Sequence, residues 1–464
     1  VPLENYGFEV ERGERVERQI QQGTPIVWAL TLFAAVVPAV LLLLGVRWAA
    51  DRFQPGYGTA AAITLGLGTI VMTFAAEFFS HVISAALGFA AFMVLIRERD
   101  GTPSLGAVAV AGLLAGLAVS FEFQTGLVGV VLFFYALSRR TDLLRRAGAY
   151  AAGAIAGAIP TLAFNLWAFG DPLELAYGSA VESPGLTGHD VIGLNSDGFF
   201  GITAPRLDSA IDLLLAGRGL LVLTPIVVIG VVGTLLLRRG PRRAEANVIL
   251  AVAAIYFVYN SGYWLPFGGG TPGPRFLIPA LPFLAVGLAT AYRRFPAVTL
   301  GLAVPSAMLM VIGSLTYPLL GRQGVGSWAD LLVDADLEHT VLTAFGVTNA
   351  WLAVAPFFAA VATAIVLAVR ATPHTPLTDL RYAVPVVLTW GWVSALGPAI
   401  AGDDISTFDR GNVSALWLVA AGVLLSLATL AVGRALERRA QPRPGQPAAE
   451  PALGPGLAFD EPTS

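Results

Sequence analysis

Glu77-Phe78-Phe79-Ser80-His81 lies between two apolar stretches, Gly58 to Ala76 before it and Val82 to Ile96 after it. The whole, roughly residues 57–96, reads as a hairpin of two apolar helices. So short a connection must lie at a membrane face. It brings a carboxylate and an imidazole to that face at i and i+4, where one helical turn would set them on the same side. Ionisable groups at membrane depth cost about 2.5–3.5 kcal/mol each on insertion scales, so they are functional candidates by default. The competing reading is that Glu77 and His81 only cap and solvate a helix end.

Composition agrees with a membrane setting. The chain has 464 residues, 56% hydrophobic and 13% charged. Many windows of about 20 apolar residues are long enough to span a bilayer core. There is no cysteine, which excludes disulfides and Cys-ligated metals. The four histidines, His81, His189, His339 and His374, make no metal-binding spacing. All 28 basic residues are arginine, and with the Ala, Gly, Val and Leu usage this points to a GC-rich bacterial genome. A net charge of -3 leaves no basic face for nucleic acid.

The reading is an all-α polytopic membrane protein with about 13 transmembrane helices. The spans fall near 26–46, 57–76, 78–96, 105–119, 124–138, 147–169, 214–237, 246–264, 276–292, 296–317, 349–369, 382–400 and 413–433. Gly112/Gly116 and Gly153/Gly157 make G-x-x-x-G spacings, read as close helix packing. Twenty of the 28 arginines fall in one alternating set of connections and the tail, eight in the other. The positive-inside rule puts the first set in the cytoplasm.

This orientation divides the chain. Residues 1–25 end an outer loop; their alternating charges, Glu11/Arg15 and Glu14/Arg18 at i,i+4, suit a surface helix. Residues 26–320 form a transmembrane module with a large external loop at 170–213. Residues 321–436 add C-terminal helices. Residues 437–464, rich in Pro, Ala and Gly, form a disordered cytoplasmic tail. With residues 1–25 outside and Val1 at the start, one further helix is inferred upstream. The polar candidates lie on the outer face, so any chemistry is extracytoplasmic, and no Walker or Gly-rich phosphate loop is recognised.

Several stretches resemble the C-type membrane glycosyltransferases, specifically the bacterial family 39-like, protein O-mannosyltransferase-related branch. They are Tyr57-Gly58-Thr59 through Ala86, Gly170-Asp171-Pro172 through Gly178, Gly198-Phe199-Phe200-Gly201 with Gly217-Arg218-Gly219 through Pro225, and Pro272-Gly273-Pro274-Arg275-Phe276-Leu277-Ile278-Pro279. The likeness runs over roughly residues 20–320. It implies a GT-C-like bundle with extracytoplasmic loops in the plasma membrane. It implies a polyprenyl-phosphate sugar as donor and an extracytoplasmic acceptor: cell-envelope glycan, lipid or protein. The family's main catalytic carboxylate would fall upstream of Val1.

Glycosyl transfer from a lipid phosphate needs a base for the acceptor hydroxyl and positive charge for the departing phosphate. The catalytic candidates are Glu77, His81 and Glu122, with Glu77 as base, acceptor orienter or metal ligand. Glu122, at the neighbouring tip, either joins Glu77 across the bundle or is simply solvated. Arg275 and Arg218, each at a helix start, are the donor-phosphate candidates; the alternative for each is an interfacial anchor. Tyr177, Tyr263 and Trp264 suit sugar stacking or the interface belt. Asp171 reads as a turn cap before Pro172. The one cofactor candidate is a divalent cation. Two other functions fit the scaffold: a non-catalytic glycan-lipid binding or assembly subunit, and a transporter.

Overall fold

A computed structural model of the chain describes residues 26–174, 201–318, 326–401 and 413–440. The described part is helical, and its one β contact is an isolated bridge between Ile202 and Tyr263. In chain order the helices are α1 Ile26–Phe53, α2 Gly58–Gly68, α3 Val71–Phe74, α4 His81–Asp100, α5 Leu105–Phe121, α6 Gly126–Leu137 and α7 Leu143–Phe169. Then come α8 Leu207–Leu215, α9 Leu220–Leu223, α10 Ile226–Leu237, α11 Arg243–Gly262, α12 Leu281–Arg294 and α13 Pro296–Thr316. The rest are α14 Gly326–Val333, α15 Val341–Ala344, α16 Ala350–Ala353, α17 Ala355–Ala371, α18 Leu380–Leu396 and α19 Val413–Ala440. A 3-10 turn, Arg275–Ala280, leads into α12.

Helix is present at each of the thirteen apolar stretches, but apolar length and helix continuity are different things. Seven described helices are long and apolar enough to cross a membrane. An eighth crossing forms if Leu207–Leu223 and Ile226–Leu237, bent by 86°, count as one. Gly58–Gly68, Leu105–Phe121, Phe123–Leu137 and Ala355–Ala371 are shorter apolar helices. The second span is interrupted at Thr69, whose extended backbone (φ -137°, ψ 167°) ends α2 before α3 begins. Many large apolar side chains stay exposed, among them Trp167, Leu144, Val369 and Trp417. Such surfaces are expected of helices solvated by lipid.

Small residues set the tightest packing. A Cβ on Gly112 or Gly116 of α5 would run into the α7 backbone at Tyr150 and Ala154. One on Gly153 or Gly157 of α7 would meet the α5 backbone at Ala109 and Leu113. The two G-x-x-x-G pairs therefore face each other, as close packing requires. Gly233 and Gly287 bring α10 and α12 together in the same way.

At one end of the bundle, charge ties the helices. Glu98, buried, pairs with buried Arg146 at 2.8 Å and with Arg139 at 3.2 Å. Asp100 holds Arg52 at 2.8 Å and Arg242 at 2.6 Å. Glu245, also buried, accepts from the Tyr135 hydroxyl at 2.8 Å. Five arginines of the larger set meet here: Arg52, Arg99, Arg139, Arg146 and Arg242. α4 then carries the chain about 30 Å, twenty residues at 1.5 Å each, to the opposite end, where His81 begins it. α19 continues to Ala440, so residues 437–440, assigned to the tail by sequence, are helical; 1–25 and 441–464 lie outside the described residues.

Candidate functional site

The His81 end is built from three chain reversals. Residues 75–80 join α3 to α4, Glu122–Thr125 join α5 to α6, and 263–274 join α11 to the Arg275 turn. Residues 75–80 are not helical, so Glu77 and His81 do not share a helical turn, contrary to the i,i+4 expectation. Here Phe79 N–H closes a tight turn on the Glu77 carbonyl at 2.8 Å, and His81 starts α4.

The partner of His81 is Glu122. His81 Nδ1 lies 2.7 Å from Glu122 Oε1, with the side chains 4% and 7% exposed. It is a close polar contact and not an aligned hydrogen bond, since Nδ1 makes none. Ser80 Oγ donates to the same oxygen at 2.5 Å, and Gln124 Nε2 donates to Oε2. Glu122 is thus neither solvated nor joined to Glu77. The Tyr256 hydroxyl donates to the Gln124 carbonyl at 2.9 Å and ties this turn to α11.

Aromatic rings enclose the histidine. Phe79 stacks on it at 5.9 Å and 13°, while Phe74 and Phe276 meet it edge-on at 5.2 and 5.9 Å. Phe276 also meets Tyr263 at 5.3 Å, Tyr263 stacks on Tyr259 at 5.8 Å, and Trp264 tilts against Tyr263 at 6.3 Å. The Arg275 guanidinium lies 5.8 Å from the Phe79 ring and 5.2 Å from Phe276. His81, Glu122, Arg275, Tyr263 and Trp264 therefore belong to one continuous cluster.

Arg218 is joined to this cluster through a loop. Its side chain is 1% exposed, lies 4.1 Å from the Phe267 ring and donates to the Gly269 carbonyl. Such burial is not that of an interfacial anchor. Arg275 N–H reaches the Phe267 carbonyl at 3.3 Å from the other side. Gly268 and Gly269 adopt φ of +78° and +118°, and a Cβ on Gly268 would sit 2.6 Å from Arg275 Nε. Glycine is thus needed for this loop to lie against the arginine. Sequence reading named both arginines but overlooked the glycine loop between them.

Glu77 belongs to a second feature. It is half-buried, and burial raises its carboxyl above the usual range. Glu338, in the loop before α15, is raised by burial and then by the negative charge of Glu77. The charge of Glu77 is thus felt at Glu338. Glu338 carried no motif and was missed; only the tertiary path of residues 334–340 brings it here. Asp171 does cap its turn, accepting from Leu173 N–H at 2.8 Å. Tyr177 lies outside the described residues. Among the described residues, no group of three or more His, Asp and Glu could hold a metal ion.

Fold and site together define a helical membrane protein with a buried histidine–carboxylate pair at one end. No family model, no curated protein and no solved structure matches the chain.

Proposed function

We propose that this protein is an integral membrane glycosyltransferase that moves a sugar from a polyprenyl-phosphate donor to an acceptor outside the plasma membrane of a bacterium. The observation that carries the reading is the convergence of the His81–Glu122 pair and Arg275 on the same two rings, Phe79 and Phe276. Glu122 holds the imidazole as the carboxylate of a base pair does, and His81 takes the proton of the acceptor hydroxyl. Arg275 receives the phosphate that departs as the glycosidic bond to the donor breaks, and buried Arg218 supports the loop beneath it. Tyr263 and Trp264 provide the stacking surface for the sugar. Glu77 orients the acceptor.

The thirteen-span, GT-C-like arrangement belongs to this proposal. It requires the shorter apolar helices to cross the bilayer with their neighbours, with the arginine-rich end in the cytoplasm. A transporter reading draws on the 86° break at Thr224–Pro225, since broken helices hold substrates in secondary transporters. Here the α10 N-terminus is already engaged: Ile226 N–H donates to Ser306 Oγ at 3.2 Å. That favours the transferase.

The test is direct. The full chain in nanodiscs is given a panel of radiolabelled polyprenyl-phosphate sugars and a membrane extract as acceptor. Loss of label from the lipid with wild type, abolished by Glu122→Gln, supports the assignment. Tight lipid binding without turnover replaces it with a binding or assembly role. Uptake of label by sealed vesicles replaces it with transport.

A further inference from the structure

At the opposite end of the bundle, the last two turns of α1 carry a feature that the transfer chemistry does not use. Leu44, Arg47, Trp48, Asp51 and Arg52 line a cleft of about 420 Å³. We propose that this cleft holds the head group of an anionic phospholipid, independently of the transferase reading.

Length supports this placement. α1 has 28 residues and so extends about 42 Å, whereas the hydrocarbon core of a bilayer is about 30 Å thick. With its apolar part, residues 26–46, about 31 Å long at 1.5 Å per residue, centred on the core, Arg47, Asp51 and Arg52 stand at head-group depth. Below the cleft, Val37, Val40, Leu41 and Leu44 are exposed at i, i+3, i+4 and i+7. This spacing makes one apolar stripe leading up to Arg47, a track for acyl chains. A free phosphate would make no use of it.

Charge supports an anion. The Arg47 side chain is 55% exposed, and its nearest acid, Asp51, is 3.9 Å away. Asp51 is itself occupied: its Oδ1 accepts from Gly56 N–H at 3.0 Å and from Gly58 N–H at 2.8 Å, fixing the turn into α2. Arg52 lies 4.8 Å from the Trp48 ring and shares Asp100 with Arg242. Arg242 and Arg99 also pair with Glu245, so four arginines face three carboxylates, and Arg47 is the most exposed of the four. Trp48 adds the interfacial ring that prefers head-group depth.

The experiment is native mass spectrometry of the full chain extracted from vesicles of equal phosphatidylglycerol and phosphatidylcholine. Wild type should retain phosphatidylglycerol selectively. Arg47→Gln should cut that enrichment about fivefold, the worth of one arginine at a charged surface. Trp48→Leu should lower it and Trp48→Phe should keep most of it. Arg370→Gln, at an exposed helix end, is the control for general surface charge and should change nothing. Wild-type enrichment in Arg47→Gln, or an equal loss in Arg370→Gln, would overturn the site.

Discussion

His81 and Glu122 come from different apolar hairpins, yet Nδ1 of one lies 2.7 Å from Oε1 of the other inside a ring of phenylalanines. A carboxylate beside an imidazole fixes the orientation of the ring. The predictions about activity start from this pair.

Glu122→Gln keeps an acceptor for Ser80 and removes the charge beside the imidazole. If His81 acts as general base, turnover falls about 10²- to 10⁴-fold with little loss of binding. Single-turnover assays with the active donor, with binding measured separately, check this. Turnover within threefold of wild type removes the pair from the mechanism.

Arg275→Ala should weaken polyprenyl-phosphate binding about tenfold or more, since hydrogen bonds to charged groups contribute about 1.5–3 kcal/mol. Arg275→Lys should recover only part, because lysine keeps the charge and loses the flat contact with Phe79 and Phe276. Equilibrium binding to the lipid decides the matter, and unchanged affinity in Arg275→Ala refutes the phosphate role.

The Glu77 and Glu338 carboxyls are raised in the folded chain. A raised carboxyl adds stability that is complete below its unfolded value and is lost as pH rises through the folded value. As pH rises above the usual carboxylate range, the folded state bears the cost of burial and of the charge beside Glu338. Glu77→Gln should therefore raise the melting temperature at about pH 7.5 and have little effect near pH 4. Equal effects at both values would show that the two acids do not repel in the folded protein.

Two glycines of the described helices should respond in opposite directions to alanine. Gly116→Ala drives a methyl into the α7 backbone at Ala154 and should destabilise by about 1–3 kcal/mol. Gly148→Ala meets nothing within 4 Å and should stabilise by up to about 1 kcal/mol through helix propensity. Thermal unfolding in one detergent compares the two. Equal shifts would refute the close approach of α5 and α7.

Much of the organisation was legible because it depends on local chemistry. Apolar runs located the helices, paired glycines announced close helix packing, and Asp171 before Pro172 announced its turn. His81, Glu122, Arg275, Arg218, Tyr263 and Trp264 were all named from sequence, since charged and aromatic residues at helix ends are conspicuous. Their connections were not legible. Reading Glu77 and His81 as one helical turn failed because residues 75–80 leave the helix, and hydropathy does not distinguish a helix from an apolar turn.

By itself the sequence determined an all-helical membrane chain, the ends at which its polar residues gather and the glycine faces that let helices touch, because these follow from hydropathy, period and residue size. Only the tertiary structure decided that His81 meets Glu122 and not Glu77, that the charge of Glu77 is felt at Glu338, and that Arg218 is buried against the Phe267–Gly269 loop. It also decided that seven described helices have the continuous length to cross a bilayer. The reason is physical: pairings between distant segments depend on where each helix breaks and which loop packs over it. Those outcomes are set by the sum of contacts across the bundle.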